Sequence, residues 1–390
     1  EKELKKFMIK LVSDTIDKAD INALIEWLSQ DDIPRLTKGS LTKELEEKWA
    51  KKLGTKYSVF VNSGSSSILL TLAALKYSNK LRNNKIIVPG LSWATDVSSP
   101  MLLGYDVSMC DCNLVDLSCD LTHLEELFKT EDPSILILVS PLGLVPEMDK
   151  VMSLCEKYDV ILLEDVCESM GSKFKEEYLG SFGFASFFSM YFGHHLSTIE
   201  GGFINTNDED FYHLLLMMRS HGWDRDLPEW KQKELRKVYD CTEFEALYNF
   251  YVPGMNLRST DLQAFIGLRS LDKLDSYSQR RNVNFKKYKS LCNTGIDFRS
   301  GDEFVSSFSI PVLSSDRMSL IKELQDNDIE VRPLIAGNMA NKPMWYNEND
   351  PVSLPNCELI DSVGIYVPNH QDLTDGDIIK ITKIINKYER

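Results

Sequence analysis

The chain has 390 residues, 43% hydrophobic and 26% charged, enough for one large core with a smaller one beside it. Its 59 acidic residues against 44 basic give a net charge of −15, which argues against nonspecific nucleic-acid binding and against an anionic membrane surface, while leaving room for a local basic pocket around a phosphorylated ligand. No apolar run reaches the ~18–20 residues of a membrane span, and the opening Glu-Lys-Glu-Leu-Lys-Lys lacks a signal-peptide core and cleavage site, so a cytoplasmic protein is expected.

From the amino end, Ile9, Val12 and Ile16, then Ile21, Leu24 and Leu28, recur three to four apart and predict helices. Thr-Lys-Gly-Ser at 37–40 breaks the pattern. A helix over 42–53 carries Leu45, Trp49 and Leu53 on one stripe, with Gly54 as its stop. Residues 57–62 read as a short strand. Asn-Ser-Gly-Ser-Ser-Ser at 62–67 then opens an apolar helix. Free N–H groups and the dipole make such a helix start a phosphate site, although serine is equally an ordinary N-cap. Strands follow at 85–89, 105–109, 134–140 and 160–165, with a helix at 147–158. The near-continuous apolar run at 134–140 suits a parallel strand covered on both faces. This alternation predicts an α/β domain with a mostly parallel sheet, whose ligands gather at strand carboxyl ends, where Trp93, Asp165 and Ser189 stand.

Residues 224–245 are polar without a period and read as a surface excursion. A helix over 261–270 and a long one ending near 293 lead to a strand (304–312), a helix (316–327), a strand (329–334), a loop rich in Asn and Pro, a strand (364–367) and a helix (374–388). That order predicts a small α+β domain, with the division placed between 1–270 and 271–390. Of the eight cysteines, Cys155 and Cys167 sit in apolar stretches. Cys110-x-Cys112-x6-Cys119 has the clustering of an iron–sulfur site but no fourth ligand at a matching spacing, so neither a metal nor a cluster is expected.

The remaining motif is Tyr191-Phe-Gly-His-His-Leu-Ser-Thr-Ile-Glu-Gly-Gly202. It resembles the cofactor-lysine motif, roughly S-F-x-x-x-K-x-x-x-x-x-E-G-G, of the DegT/DnrJ/EryC1/StrS family of sugar aminotransferases, which use pyridoxal 5′-phosphate (PLP). Counting back six residues from Glu200 puts His194 on the lysine position, and no lysine occurs from Glu176 to Trp230. Gly64-Ser65-Ser66, Trp93, Asp165 and Ser189 fall in family order at family-like spacing. The resemblance extends over roughly residues 30–390, through Asn256-x-Arg258.

The resemblance implies an α/β architecture, the type I fold of PLP aminotransferases, with a seven-stranded, mostly parallel sheet in the large domain and a smaller C-terminal α+β domain. It implies that Gly64, Ser65, Ser66 and Ser189 cradle the phosphate, that Trp93 covers the ring face, and that Asp165 keeps the pyridine nitrogen protonated so that the ring accepts electrons. Glu168 falls on the ring-hydroxyl side. Asn256 reaches the neighbouring subunit's cofactor, which implies a homodimer. His194 narrows the likeness to the family's 3-dehydratases of nucleotide-linked 4-keto-6-deoxy sugars, the enzymes of 3,6-dideoxyhexoses such as colitose in O-antigen. Residues 164–171, His221-Gly-Trp223, Arg332-Pro-Leu-Ile-Ala-Gly-Asn338 and Asn369-His-Gln371 agree. GDP is favoured over CDP as the nucleotide. The CDP-sugar enzyme of that branch carries a [2Fe-2S] cluster on cysteines around and after the histidine, and between Gly171 and Arg281 this chain has only Cys241.

With histidine in place of lysine, PLP or its amine form, pyridoxamine 5′-phosphate (PMP), is held noncovalently. His194 becomes the general base, L-glutamate restores PMP, and ammonia is released. His221 is a candidate for the leaving hydroxyl or for substrate contact, and Arg258, Arg332 and His370 for substrate binding. His195 reads as a helper or packing residue, His123 and His213 as ordinary helical residues. Three alternatives stand beside this. One is another PMP-dependent reaction on a related nucleotide sugar. A second is an ordinary sugar aminotransferase, opposed by the absent lysine. The third is a catalytically dead homologue that binds PLP or a sugar nucleotide, opposed by the intact cradle, Trp93 and Asp165.

Overall fold

The computed structural model describes residues 8–299, 301 and 303–388, and the charged opening at 1–6 lies outside them. Helix α1 (Lys18–Leu28) opens on a reciprocal cap between Asp17 and Asp20. Helix α2 (Ser40–Leu53) buries Leu45, Trp49 and Leu53 and stops at Gly54, whose φ of 88° suits glycine. Then come β1 (Tyr57–Val61), α3 (Gly64–Tyr77), β2 (Lys85–Pro89), α4 (Ala94–Leu102), β3 (Asp106–Cys110), α5 (Leu121–Glu131), β4 (Ile135–Val139), α6 (Met148–Tyr158) and β5 (Ile161–Asp165). A small hairpin, β6 (Lys173–Phe174) and β7 (Glu177–Tyr178), precedes β8 (Ala185–Ser189), β9 (Gly202–Thr206) and α7 (Glu209–Arg219).

The seven-stranded sheet has the order β1-β9-β8-β5-β4-β2-β3. The pairs from β8 through β3 are parallel, and β9 alone runs against its neighbours β1 and β8. The carboxyl ends of β1, β8, β5, β4 and β2 therefore share one edge. Val59, Phe60, Ile87, Leu136, Leu163 and Phe187 in these strands are fully buried, as expected for a sheet covered on both faces. Glu164 is also buried. Its carboxylate accepts the amides of Gly180, Phe182 and Gly183 at 2.6–2.8 Å, pinning the loop before β8 to β5.

Helices α8 (Glu229–Val238), α9 (Asp261–Leu271) and α10 (Leu274–Leu291) lead to a three-stranded antiparallel sheet, β10 (Ser309–Leu313), β11 (Arg332–Pro333) and β12 (Gly364–Pro368), in the order β10-β12-β11. Helices α11 (Arg317–Asp326), α12 (Pro343–Tyr346), α13 (Pro355–Val363) and α14 (Asp375–Ile385) accompany it.

Four expectations are corrected. Ile9, Val12 and Ile16 do not lie on a helix. Ile9 instead forms a parallel bridge with Ile329, so its burial comes from strand-like pairing across the chain. The strand expected at 329–334 shrinks to Arg332–Pro333, because Ile329 is used by that bridge, and the strand expected from 304 begins at Ser309. Residues 224–245 contain α8, a mostly charged helix that buries no residue. Among the described residues no helix is long and apolar enough to cross a membrane.

Candidate active site

A cavity of about 620 Å³ lies at the shared carboxyl edge, lined by Gly64, Ser65, Trp93, Asp165, Glu168, Ser189, His194 and Arg332. At the start of α3, Ser63 is the N-cap. Its hydroxyl accepts the Ser66 amide at 3.0 Å and its carbonyl the Ser67 amide at 3.1 Å. The amides of Gly64 and Ser65 keep no partner among the described residues and stand at the positive end of a 14-residue helix, a cradle for an anion. Glycine is required there. A Cβ on Gly64 would lie 2.8 Å from the Ser189 Cβ, and one on Gly202 would strike the Ser63 carbonyl. Ser189, closing β8, brings its hydroxyl to the same wall. Trp93 ends the β2–α4 turn with 59% of its surface exposed, a flat ring on the cavity.

Asp165 closes β5 and is buried; one carboxylate oxygen accepts the Cys167 amide at 2.8 Å. The Cys167 carbonyl in turn lies 2.6 Å from Nδ1 of His194. A carbonyl only accepts, so Nδ1 carries the hydrogen, and in the neutral ring Nε2 keeps its lone pair. Burial lowers the His194 pKa, outweighing the Cys167 carbonyl and Asp165, which raise it. Glu168 accepts the Leu142 amide at 2.9 Å, and burial with the nearby Asp165 lifts its pKa to about 7. Arg332 pairs with Glu330 at 2.6 Å and remains half exposed at the mouth.

The fit to PLP or PMP is good on these observations: an anion cradle with two open amides, a glycine held by close approach, an exposed indole face and a buried carboxylate at a strand end. Asp165 would meet the ring nitrogen, Trp93 the ring face, and Gly64, Ser65 and Ser189 the phosphate.

Other expected residues lie elsewhere. Ser66 does not line the cavity, because its amide is spent on Ser63. His370 is buried behind the wall, where Nε2 bonds the Lys10 carbonyl at 3.1 Å and burial lowers its pKa to about 4. It does not line the cavity, whereas Lys10 does. His221, Asn256 and Arg258 form a second group. Asn256 bridges to Ser220, the His221 ring lies 5.0 Å from that of Trp223, and the Arg258 guanidinium lies 5.8 Å from the Trp223 ring. None of the three lines this chain's cavity. His195 is fully buried with Nε2 on the Ser306 carbonyl at 2.7 Å, a packing role.

Sequence reasoning missed Lys10, Ser63 and Asp96, which also line the cavity. Asp96, one turn past Trp93, could have been found from that spacing. Lys10 could not, since Ile9 and its neighbours read as a helix. Near Cys112, ligand atoms of Asp111, Cys112 and Cys357 lie within 4.8 Å of one another. The Asp111 carboxylate already accepts the amides of Cys112, Asn356 and Cys357 at 2.9–3.0 Å, so the group ties the end of β3 to α13.

A model of the DegT/DnrJ/EryC1/StrS aminotransferase family matches residues 14–386. GDP-4-keto-6-deoxy-D-mannose 3-dehydratase of Yersinia pseudotuberculosis is 33% identical over 98% of this chain and 100% of its own length. Two solved structures of GDP-4-keto-6-deoxymannose-3-dehydratase superpose with a TM-score of 0.87 at 30% identity, covering 97% of this chain and 100% of theirs. One is a histidine-to-asparagine mutant with bound GDP-perosamine, the other holds a trapped PLP-glutamate geminal diamine. The α/β fold described above is that of the PLP-dependent aminotransferases.

Proposed function

The chain belongs to the DegT/DnrJ/EryC1/StrS aminotransferase family, and from that premise we propose that it is a PMP-dependent 3-dehydratase that removes the C3 hydroxyl of a GDP-linked 4-keto-6-deoxyhexose, with L-glutamate as amino donor. The observation that carries this reading is His194, at the family's lysine position, inside the cavity, with Nδ1 locked to the Cys167 carbonyl. An aminotransferase needs the lysine; a base-catalysed elimination needs a neutral imidazole with a free nitrogen.

When bound, the cofactor supplies an amine for the C4 ketone and a ring that takes up an electron pair. Asp165 holds the ring nitrogen protonated through its charge, and the α3 amides with Ser189 anchor the phosphate. Nε2 of His194 would take up the proton released in the elimination that expels the C3 hydroxyl. Arg332 and Lys10 offer positive charge at the mouth for the diphosphate of the substrate. The balance is one sugar and one glutamate giving one 3-deoxy ketone, one 2-oxoglutarate and one ammonia. The oxygen lost at C3 equals the one gained by 2-oxoglutarate.

The reading includes a homodimer in which Asn256, with His221 and Arg258, enters the partner's site. Exposed Ile21, Ile25 and Leu28 on α1 and exposed Phe244, Leu247 and Tyr248 support such a face. It also includes a cytoplasmic location, a place in colitose-type O-antigen synthesis, and the division at 270/271. The test is stoichiometry. With PLP, glutamate and GDP-4-keto-6-deoxymannose, ammonia and 2-oxoglutarate should appear in equal amounts; 2-oxoglutarate without ammonia would mean amino transfer instead.

A further inference from the structure

Asp96 stands in the first turn of α4, three residues after Trp93, and lines the cavity beside Asp165. It is fully buried, and neither carboxyl oxygen has a hydrogen-bond partner. An ionised carboxylate so placed would have lost its water with nothing in return. The groups that act on it are Asp165, which shares the cavity wall with it, then the Trp93 amide, Glu168, and the thiol of Cys167. Apart from the Trp93 amide, which favours its charge, these neighbours are acidic. Two carboxyl groups buried in one wall do not readily both ionise.

We propose that Asp96 and Asp165 share one proton, which resides on Asp96 as a neutral carboxylic acid whose O–H is donated to Asp165. The assignment follows from the partners. Asp165 accepts the Cys167 amide at 2.8 Å, which favours charge on Asp165, whereas Asp96 lacks a comparable donor. Burial and the Asp165 charge both push the Asp96 pKa well up, in agreement. Asp96 is thus a positioning residue. With one Asp165 oxygen held by the Cys167 amide, the Asp96 hydroxyl fixes the rotation of the carboxylate that meets the cofactor's ring nitrogen. This role rests on the cofactor assignment above, but the proton sharing does not.

Infrared difference spectroscopy of the cofactor-free chain, parent minus Asp96→Asn, tests the sharing without cofactor or substrate. The expected difference is loss of a carboxylic-acid carbonyl band at neutral pH. Loss of carboxylate bands instead overturns the proposal. Glu168→Gln, measured alongside, identifies any acid band that belongs to Glu168. Asp96→Asn keeps a neutral donor and should hold PLP with unchanged affinity, whereas Asp96→Leu should bind it about 10- to 100-fold more weakly, the worth of one hydrogen bond to a charged group. Equal weakening in both variants overturns the donor role. If the leucine variant does not fold, the infrared result on the asparagine variant still decides.

Discussion

The backbone of Cys167 joins His194 to Asp165: its carbonyl takes the Nδ1 hydrogen of His194 at 2.6 Å, while its amide bonds the Asp165 carboxylate at 2.8 Å. The proposed base and the ring-nitrogen partner are therefore set by one residue. A shift in either is transmitted to the other through a single peptide segment at the end of β5.

In the proposed reading, with no lysine at position 194, no covalent bond to the chain holds the cofactor. Dialysis should remove most of the PLP, and borohydride should leave no cofactor on the chain. Lys10 is the cavity lysine that would carry an adduct. A reduced cofactor found on Lys10 by mass spectrometry would falsify the noncovalent model.

Asp165→Asn keeps the size of the side chain and removes its charge. Cofactor retention should weaken, and turnover should fall by at least ~10²-fold if the ring must accept electrons. Near-parent turnover would show that another group protonates the ring nitrogen.

The pH dependence follows from two shifts of opposite sign. Burial lowers the His194 pKa from 6.5, and the base must be neutral, so kcat/KM should fall only as pH drops through a value below 6.5. Glu168 titrates at about 7. As pH rises past that value it ionises beside Asp165, so PLP affinity should decline on the alkaline side. Glu168→Gln should abolish that decline. An affinity that stays flat across pH 6–8 in the parent would remove Glu168 from the cofactor's surroundings.

If the two sites of a dimer are shared, His194→Asn and Asn256→Ala should complement each other. Each is expected to be nearly inactive alone. Random mixing gives hybrids with one intact site each, so about a quarter of all sites should recover. No recovery after subunit exchange, shown by tagged hybrids, would place Asn256 in its own chain's site or outside any.

The sheet was legible because its central strands are short and largely buried: Ile135–Val139 is apolar and buried throughout, and Ile161–Asp165 opens on three apolar residues before its two acids. Asp165, Ser189 and Trp93 followed from their place at the ends of such runs. What stayed hidden depends on pairing across the chain. Ile9 packs through a bridge to a residue 320 positions away, so its spacing looked helical and Lys10 went unseen. Asp96 reads as an ordinary first-turn acid of a helix; only its burial against Asp165 separates it from an exposed one. His370 and Ser66 lie outside the cavity lining, with hydrogen bonds to Lys10 and Ser63 that no spacing in the sequence shows.

The most direct test is His194→Asn, assayed for ammonia release from GDP-4-keto-6-deoxymannose and glutamate, and for exchange of the PMP methylene proton with deuterated solvent in the presence of the sugar. Asparagine leaves the cradle, Trp93 and Asp165 in place, so PMP and sugar should still bind. Both ammonia release and exchange should fall by ~10²–10⁴-fold, the usual worth of a positioned general base. Exchange at the parent rate in the variant would contradict the assignment of His194 as the base.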